Sequence, residues 1–175
     1  MSELELLGPP EPHEIATGRY PVETLSEHDD DGTMVENVAT LRESVVGRRI
    51  VSATKRPITT RYYGERNALV IELDNGTQVE LMETSDCCAY TNLEAFLLRP
   101  DSVEHAITGV ATTDEYTRWH IFADLGDIMA LEVGWSCGNP FYYGYGFDIA
   151  VKPIIIDGEV IEQASLPAAP LALED

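Results

Sequence analysis

The sequence predicts an α+β domain with a bent or two-layer, mainly antiparallel sheet of six to eight strands and two short helices. Segments in which apolar and polar residues alternate recur between residues 49 and 156, which is typical of sheets with one buried face. The tripeptide Asp74-Asn75-Gly76, which favours a tight turn between antiparallel strands, separates two of these segments. The chain lacks the strand–helix–strand succession that builds a parallel sheet.

The chain of 175 residues, 44% of them hydrophobic, is long enough for one domain with a core and too short for two. We expect residues 1–33 to form an acidic, proline-containing and partly disordered arm. Residues 34–156 form the predicted single α+β domain, and residues 157–175 form an acidic Ala/Pro tail. Four residues of the arm are candidates to attach it to the domain: Tyr20, Pro21, Val22 and Leu25.

The formal charge of −20 is concentrated in the two flanks of the chain. Residues 1–37 carry −9 and residues 157–175 carry −5, which leaves −6 for residues 38–156. Because an acidic surface repels a phosphate backbone, we expect no direct binding to nucleic acid. Three interpretations of this charge remain open: a surface that imitates nucleic acid, a surface that keeps the protein soluble, and adaptation to salt.

The domain begins with a predicted helix over residues 34–46, which Gly47 ends. Its apolar residues recur at helical spacing: Met34, Val38, Leu41, Val45 and Val46. Residues 49–55 are rich in β-branched side chains and predict a strand, and residues 57–64 predict a connection.

Two hairpins are predicted next. The first joins residues 68–73 to residues 77–82, with Leu69, Ile71 and Leu73 on one face. The second joins residues 103–112 to residues 117–125 around a turn at Thr113-Asp114-Glu115. Between them, the spacing of Leu93, Phe96 and Leu97 predicts the second short helix, capped by Thr91 or Asn92.

The last strands alternate clearly between apolar and polar residues. Over residues 129–136 four residues are predicted to face the core: Met129, Leu131, Val133 and Trp135. Residues 147–152 predict another strand, and residues 154–156 and 159–161 predict a small hairpin around Asp157-Gly158.

The thiols and imidazoles that offer reactive chemistry are Cys87, Cys88, Cys137, His105 and His120. Structural zinc sites favour two cysteines separated by two to four residues, whereas adjacent cysteines in an extended chain point to opposite sides. A cysteine nucleophile needs a base within hydrogen-bond reach, and no local motif announces one. We therefore expect no metal, cofactor or catalytic residue. One cysteine of the adjacent pair is expected to pack as a small hydrophobic side chain and the other to cap or line the following turn, with a disulfide from Cys87 or Cys88 to Cys137 left open.

The segment Trp135–Phe147 holds six of the fourteen aromatic residues of the chain and three glycines. Its Gly-x-Gly precedes a strand instead of opening a helix, which argues against a phosphate-binding loop. Tyrosine and tryptophan are enriched in binding hot spots, so we predict a contact surface here, although core packing is the open alternative. The predicted binding residues are Trp135, Asn139, Phe141, Tyr142, Tyr143, Tyr145, Tyr90 and Trp119.

Three strings support a family resemblance: DCCAYT at residues 86–91, YTRWHI at residues 116–121 and WSCGNPFYYGYG at residues 135–146. They resemble a family of uncharacterised small proteins from actinobacterial phages and some of their hosts, over residues 41–151. The resemblance implies no catalytic residue. It implies a phage accessory protein.

These observations favour a non-enzymatic phage accessory protein that binds a host or phage protein, through the aromatic segment or by acidic mimicry of nucleic acid. We expect no membrane partner and a location in the host cytoplasm, because the chain contains no long apolar run and no leader peptide. Two alternatives are a structural or decoration component of the virion and a Cys/His-dependent enzyme or metal protein. The sequence leaves the oligomeric state open.

Overall fold

The computed structural model describes residues 3–20, 23, 25, 29–99, 104–138 and 145–160. These residues form two helices, α1 (Pro12–Thr17) and α2 (Thr33–Val45), and eleven strands. The strands are β1 (Ile50–Thr60), β2 (Gly64–Leu73), β3 (Thr77–Met82), β4 (Thr84–Asp86), β5 (Ala89–Leu98), β6 (Gly109–Thr113), β7 (Arg118–Ala123), β8 (Gly126–Ser136), β9 (Asp148–Pro153), β10 (Ile155–Ile156) and β11 (Glu159–Val160). All strand pairs in these ranges are antiparallel, which confirms the mainly antiparallel α+β prediction.

The strands form two sheets and a separate hairpin. The first sheet has the order β1-β2-β3-β9, the second has the order β4-β5-β8-β7-β6, and β10 pairs with β11. The described strands therefore outnumber the six to eight predicted. One hydrophobic cluster joins both sheets to α2, and its members include Met34, Leu41, Ile71, Leu81, Trp119, Ile121, Met129 and Leu131.

The predicted helix and the strands with regular alternation are confirmed. Helix α2 buries Met34, Val38, Leu41 and Val45, while Val46 lies beyond its end and is exposed. The β2–β3 hairpin turns at Gly76, whose φ of +77° glycine adopts without steric cost. The predicted turn around residues 113–115 joins β6 to β7, but β6 begins only at Gly109, and residues 104–108 are not part of a strand as predicted. The small hairpin forms as β10 and β11.

The predicted helix over residues 91–98 is wrong, because these residues belong to β5. Strand β5 pairs with β8 from Tyr90 opposite Ser136 to Leu98 opposite Met129. A β-bulge between Leu93 and Ala95 shifts the register by one residue. This shift changed the spacing of inward-facing apolar residues from two to three, and the sequence pattern therefore resembled a helix.

The predicted connection over residues 57–64 is also wrong, because β1 continues through Pro57 to Thr60 and pairs with β2 up to Gly64. Strand β1 is the edge of its sheet, where a proline removes no hydrogen bond to a second neighbour. The pairing of β2 with β3 begins only at Ala68. Residues 57–67 therefore form a two-stranded ribbon that extends beyond the sheet, and we call it the β1–β2 ribbon.

Candidate functional site

The predicted aromatic site is divided between the core and the surface. Trp119 is 0% exposed and donates a hydrogen bond from Nε1 to the carbonyl of Tyr116 at 2.9 Å. A partner cannot reach this ring, so its assignment as a binding residue is corrected to a core residue. Tyr90 is 43% exposed on β5. Asn139, Phe141, Tyr142 and Tyr143 lie outside the described residues.

Trp135 and Tyr145 support one another at the edge of the core. Their rings stack with centroids 6.1 Å apart, and Nε1 of Trp135 donates to the carbonyl of Glu115 at 2.9 Å. The hydroxyl of Tyr145 donates to the carboxylate of Asp31. Burial, followed by this hydrogen bond, raises the pKa of Tyr145 above the ordinary range of a phenol. The described end of the aromatic segment is thus fixed against the acidic run that precedes α2.

The acidic run Asp29-Asp30-Asp31 fixes the start of α2. One carboxylate oxygen of Asp30, Oδ1, accepts hydrogen bonds from the N–H groups of Gly32 and Met34, and Asp31 accepts from Thr33. The bond to Thr33, followed by the bond to Tyr145, lowers the pKa of Asp31. These carboxylates therefore satisfy free N–H groups at a helix N-terminus and suit its dipole.

The three thiols occupy two different places. Cys87 and Cys88 are exposed at the β4–β5 turn with their sulfur atoms 3.5 Å apart, and the pKa of Cys87 is raised by its hydrogen bond to Cys88. Cys137 is buried, where its Sγ donates to the carbonyl of Asp29, and burial raises its pKa. In the part of the chain that the structure describes, no three Cys, His, Asp or Glu side chains are grouped as a metal site requires.

A buried polar network connects β7 and β8. Nδ1 of His120 lies 2.9 Å from Oδ2 of Asp127, and Nε2 of His120 lies 2.9 Å from Oγ1 of Thr113. His120 and Asp127 are both buried. The network extends into the arm, because the hydroxyl of Tyr20 donates to Oδ1 of Asp127.

The order hydroxyl, imidazole, carboxylate is that of a hydrolase triad, so its surroundings decide what it does. Asp127 also accepts a hydrogen bond from the N–H of Leu7, and its own N–H donates to the carbonyl of Leu7. The ring of Tyr20 covers the His120 ring at a centroid distance of 4.9 Å. The network is therefore enclosed by the arm, and its geometry suits attachment of the arm to β8.

A second contact of the arm lies at the β6–β7 turn. Asp114, Glu115 and Tyr116 have φ values of +55°, +56° and +61°, a left-handed conformation that side chains disfavour. The carboxylate of Glu23 accepts the N–H groups of Glu115 and Tyr116 at 2.7 and 2.9 Å. Successive N–H groups in such a turn form a concave anion site, and here the arm supplies the anion.

A cavity of about 630 Å³ opens between the arm, α2 and β6. Its walls include three groups of side chains, from the arm (Ile15, Arg19, Tyr20), from α2 (Val35, Val38, Arg42) and from β6 with its neighbours (Val110, Ala111, Thr112, Phe122). Neither His120 nor Thr113 lines the cavity. Tyr20, which donates to Asp127, is the residue that the buried network and the cavity wall share.

The most exposed large aromatic side chains in the described residues lie at the tip of the β1–β2 ribbon. Tyr62 is 82% exposed and Tyr63 is 68% exposed. The guanidinium of Arg61 lies 5.7 Å from the Tyr62 ring centroid, and that of Arg66 lies 4.2 Å from the Tyr63 ring centroid. The sequence predicted a connection here and no binding site, although the segment shows two adjacent tyrosines between arginines.

Comparison with known proteins gives a family match. A family profile described as a domain of unknown function (DUF7448) matches residues 43–149. No curated protein and no solved structure matches the chain. In the described part of the chain, neither helix has the length and apolarity needed to span a bilayer.

Proposed function

The chain belongs to the DUF7448 family, and from its surfaces we propose that it is a non-catalytic interaction module that binds an acidic protein through the β1–β2 ribbon. The observation that carries this proposal is the exposure of Tyr62 and Tyr63 between Arg61 and Arg66. Tyrosine and arginine are the residues, with tryptophan, that most often dominate binding energy at interfaces.

The exposure of these rings has no explanation within the described fold. Residues 61–65 are all exposed, and the ribbon lies beyond the point where β3 supports β2. A tyrosine presents a large rigid apolar area with a polar tip, which suits a contact that forms and dissociates in water. The arginines hold their guanidinium groups near the rings and leave donors available for carboxylates.

Charge indicates the class of partner. Residues 57–67, the β1–β2 ribbon, carry two bases, Arg61 and Arg66, and one acid, Glu65, a net of +1 in a chain of net −20. The four residue pairs from Pro57 to Thr60 make the ribbon roughly 13 Å long. This length exceeds a Debye length, about 8 Å at physiological salt, so acidic charges at the base of the ribbon are largely screened at its tip. The tip therefore presents a local positive potential. A local acidic segment of a protein suits it, whereas a long nucleic acid would also meet the acidic remainder of the chain.

As part of the same proposal, we infer a phage accessory protein that acts on a host or phage protein in the host cytoplasm, and the resemblance to actinobacterial phage proteins supports this. The aromatic segment that follows β8 remains a prediction as a second contact surface. Trp135, which begins this segment, is half-buried.

The alternatives have less support in the described residues. Mimicry of nucleic acid needs carboxylates displayed along one face, whereas Asp30, at the centre of the acidic run, is buried and binds the N-terminus of α2. A virion component of the kind expected would grip neighbouring subunits with its arm, but Leu7, Tyr20 and Glu23 bind the chain's own strands and turn. An enzyme centred on His120 needs access to that ring, which is buried.

Affinity purification of the tagged chain from its source cells tests the proposal, with bound proteins identified by mass spectrometry. The double variant Tyr62→Ala/Tyr63→Ala is expected to lose at least about tenfold of the recovered partner, because hot-spot truncations cost at least about 2 kcal/mol. The matched control is Val151→Ala, which removes an exposed apolar side chain from β9. Equal recovery with all three proteins, or recovery of nucleic acid alone, would contradict the proposal.

A further inference from the structure

We infer that the cavity between the arm, α2 and β6 binds a small amphipathic molecule with an apolar body and one carboxylate. This inference is independent of the proposed role of the ribbon. The cavity volume of about 630 Å³ lies within the range of small-molecule sites, about 300–1,000 Å³.

The body of the ligand is indicated by the walls. Helix α2 has two apolar faces. One face places Met34, Leu41 and Val45 in the core. The other lines the cavity with Val35, Val38 and Arg42. Strand β6 adds Val110 and Ala111. Val35 and Ile15 are exposed although apolar, at 52% and 68%. An apolar ligand would cover both side chains.

The carboxylate is indicated first by Arg19. Its Nη1 donates to the carbonyl of Gly8, but its Nε is buried and has no hydrogen-bond acceptor among the described residues. A buried donor without an acceptor is unfavourable, and most such groups in folded proteins have a partner. A carboxylate matches the fork of N–H groups on a guanidinium, so a ligand with this group would supply the acceptor that Nε lacks.

Arg42 provides a second positive charge. Its Nε and Nη2 share a single acceptor, the carbonyl of Val110, at distances of 3.4 and 3.3 Å. Within the described residues neither Arg19 nor Arg42 forms an ion pair, in a chain that contains 31 acids. Two guanidinium groups without carboxylate partners therefore line one apolar cavity.

The acids of the cavity do not neutralise these arginines. Both carboxylate oxygens of Glu23 accept backbone N–H groups of the β6–β7 turn. Asp124 lines the cavity as an exposed side chain and forms no ion pair in the described part of the chain. The nearest acids are thus either already bound or solvated, which leaves the arginines for an anionic ligand.

Isothermal titration calorimetry with decanoate and decanol tests the inference, because the two probes share an apolar chain and differ in the carboxylate. We expect the wild-type chain to bind one decanoate, at least about tenfold more tightly than decanol. Arg19→Gln is expected to reduce decanoate affinity at least about fivefold and to leave decanol affinity unchanged. The matched control is Arg99→Gln, because Arg99 also donates to an arm carbonyl, that of Leu6, and is outside the cavity wall.

Equal affinity for the two probes would overturn the inference, and so would unchanged decanoate affinity in Arg19→Gln. A further variant, Ala111→Phe, fills the cavity with a larger side chain. Binding of several decanoate molecules per chain that this variant does not change would also overturn the inference. Displacement of decanoate by a peptide of residues 161–175 would assign the cavity to the chain's own acidic tail and would also contradict a small-molecule site. Loss of binding in both Arg19→Gln and Ala111→Phe, with full binding in Arg99→Gln, would support it.

Discussion

Nδ1 of His120 lies 2.9 Å from Oδ2 of Asp127, and the two side chains are buried side by side between β7, β8 and the arm. Asp127 is also the residue through which Leu7 and Tyr20 of the arm bind the domain. One carboxylate therefore joins two strands of the second sheet to a segment more than a hundred residues away in sequence.

Asp127→Asn tests this connection. The amide keeps the shape of the side chain but cannot accept hydrogen bonds at both of its positions, so we expect a loss of about 3 kcal/mol in the free energy of unfolding. Amide hydrogen exchange in residues 3–20 should accelerate more than exchange in β2 and β3, and mass spectrometry can measure both. The control is Asp124→Asn, an exposed acid in the same region. Equal effects of the two variants would argue against a special role for Asp127.

Stability at high pH should depend on Tyr20. Burial and, next, the hydrogen bond to Asp127 raise the pKa of Tyr20 in the folded protein above its value of about 10 in an unfolded chain. The folded state therefore favours the neutral phenol, so its contribution is complete below about pH 10 and declines as the pH rises toward the folded pKa.

Chemical denaturation at pH 8 and pH 11 measures this dependence in the wild-type chain and in Tyr20→Phe. We expect the wild-type chain to lose more stability between the two pH values than the variant, which has no phenol at this position. Tyr145, whose pKa is also raised, contributes alkaline sensitivity to both proteins. Identical losses would show that the Tyr20 phenol does not titrate differently on folding.

Glu23→Gln should destabilise the β6–β7 turn. The carboxylate accepts two N–H groups where Asp114, Glu115 and Tyr116 all have positive φ, and an amide offers only one acceptor atom. We expect a cost of about 2 kcal/mol in the free energy of unfolding. Glu115→Gln, which changes an exposed carboxylate of the same turn, should cost less than about 0.5 kcal/mol. Thermal and chemical unfolding of both variants give the comparison, and a neutral Glu23→Gln would refute the anchoring role.

Gly126→Ala should separate the arm from β8. Gly126 has a φ of +106°, and an added Cβ would lie 2.4 Å from backbone atoms of Gly8 and Leu7. Gly64 also has a positive φ, of +70°, but open space surrounds it. Gly64→Ala should therefore cost only the backbone strain, about 1–2 kcal/mol, whereas Gly126→Ala should also expose the arm to limited proteolysis. Similar digestion patterns for the two variants would contradict a close contact between the arm and this turn.

The sequence predicts those parts of the fold in which the spacing of apolar residues along the chain matches the side chains that tertiary contacts bury. In β2 and β3 the buried pairs Leu69 with Leu81 and Ile71 with Val79 keep the spacing of two residues that places them on one face of the sheet. Strand β5 escaped prediction because its bulge breaks the alternation at Leu93. Pro57 suggested a break in β1, because a proline is tolerated in a strand mainly at the edge of a sheet. That β1 is an edge strand depends on the order of strands in the assembled sheet, which local sequence does not show.

The candidate sites were less predictable, because each depends on residues far apart in the chain. Trp119 and Tyr145 were both predicted to bind a partner, yet the ring of Trp119 is buried in the core and the acidic run binds the hydroxyl of Tyr145. The contacts of Asp127 with Leu7 and Tyr20 produce no recognisable pattern in the sequence around any of these residues. The ribbon differs, since Arg61, Tyr62 and Tyr63 adjoin in sequence and contrast with an acidic chain.

Site-specific photo-crosslinking tests the proposed function most directly. A benzophenone side chain replaces Tyr62 in one protein and Val151 in another, and each is irradiated in its source cells before crosslinked products are identified by mass spectrometry. The proposal predicts that position 62 captures one acidic protein, at a surface peptide rich in Asp and Glu, and that position 151 does not. Capture of the same protein at both positions, or of a basic protein or nucleic acid at position 62, would contradict it.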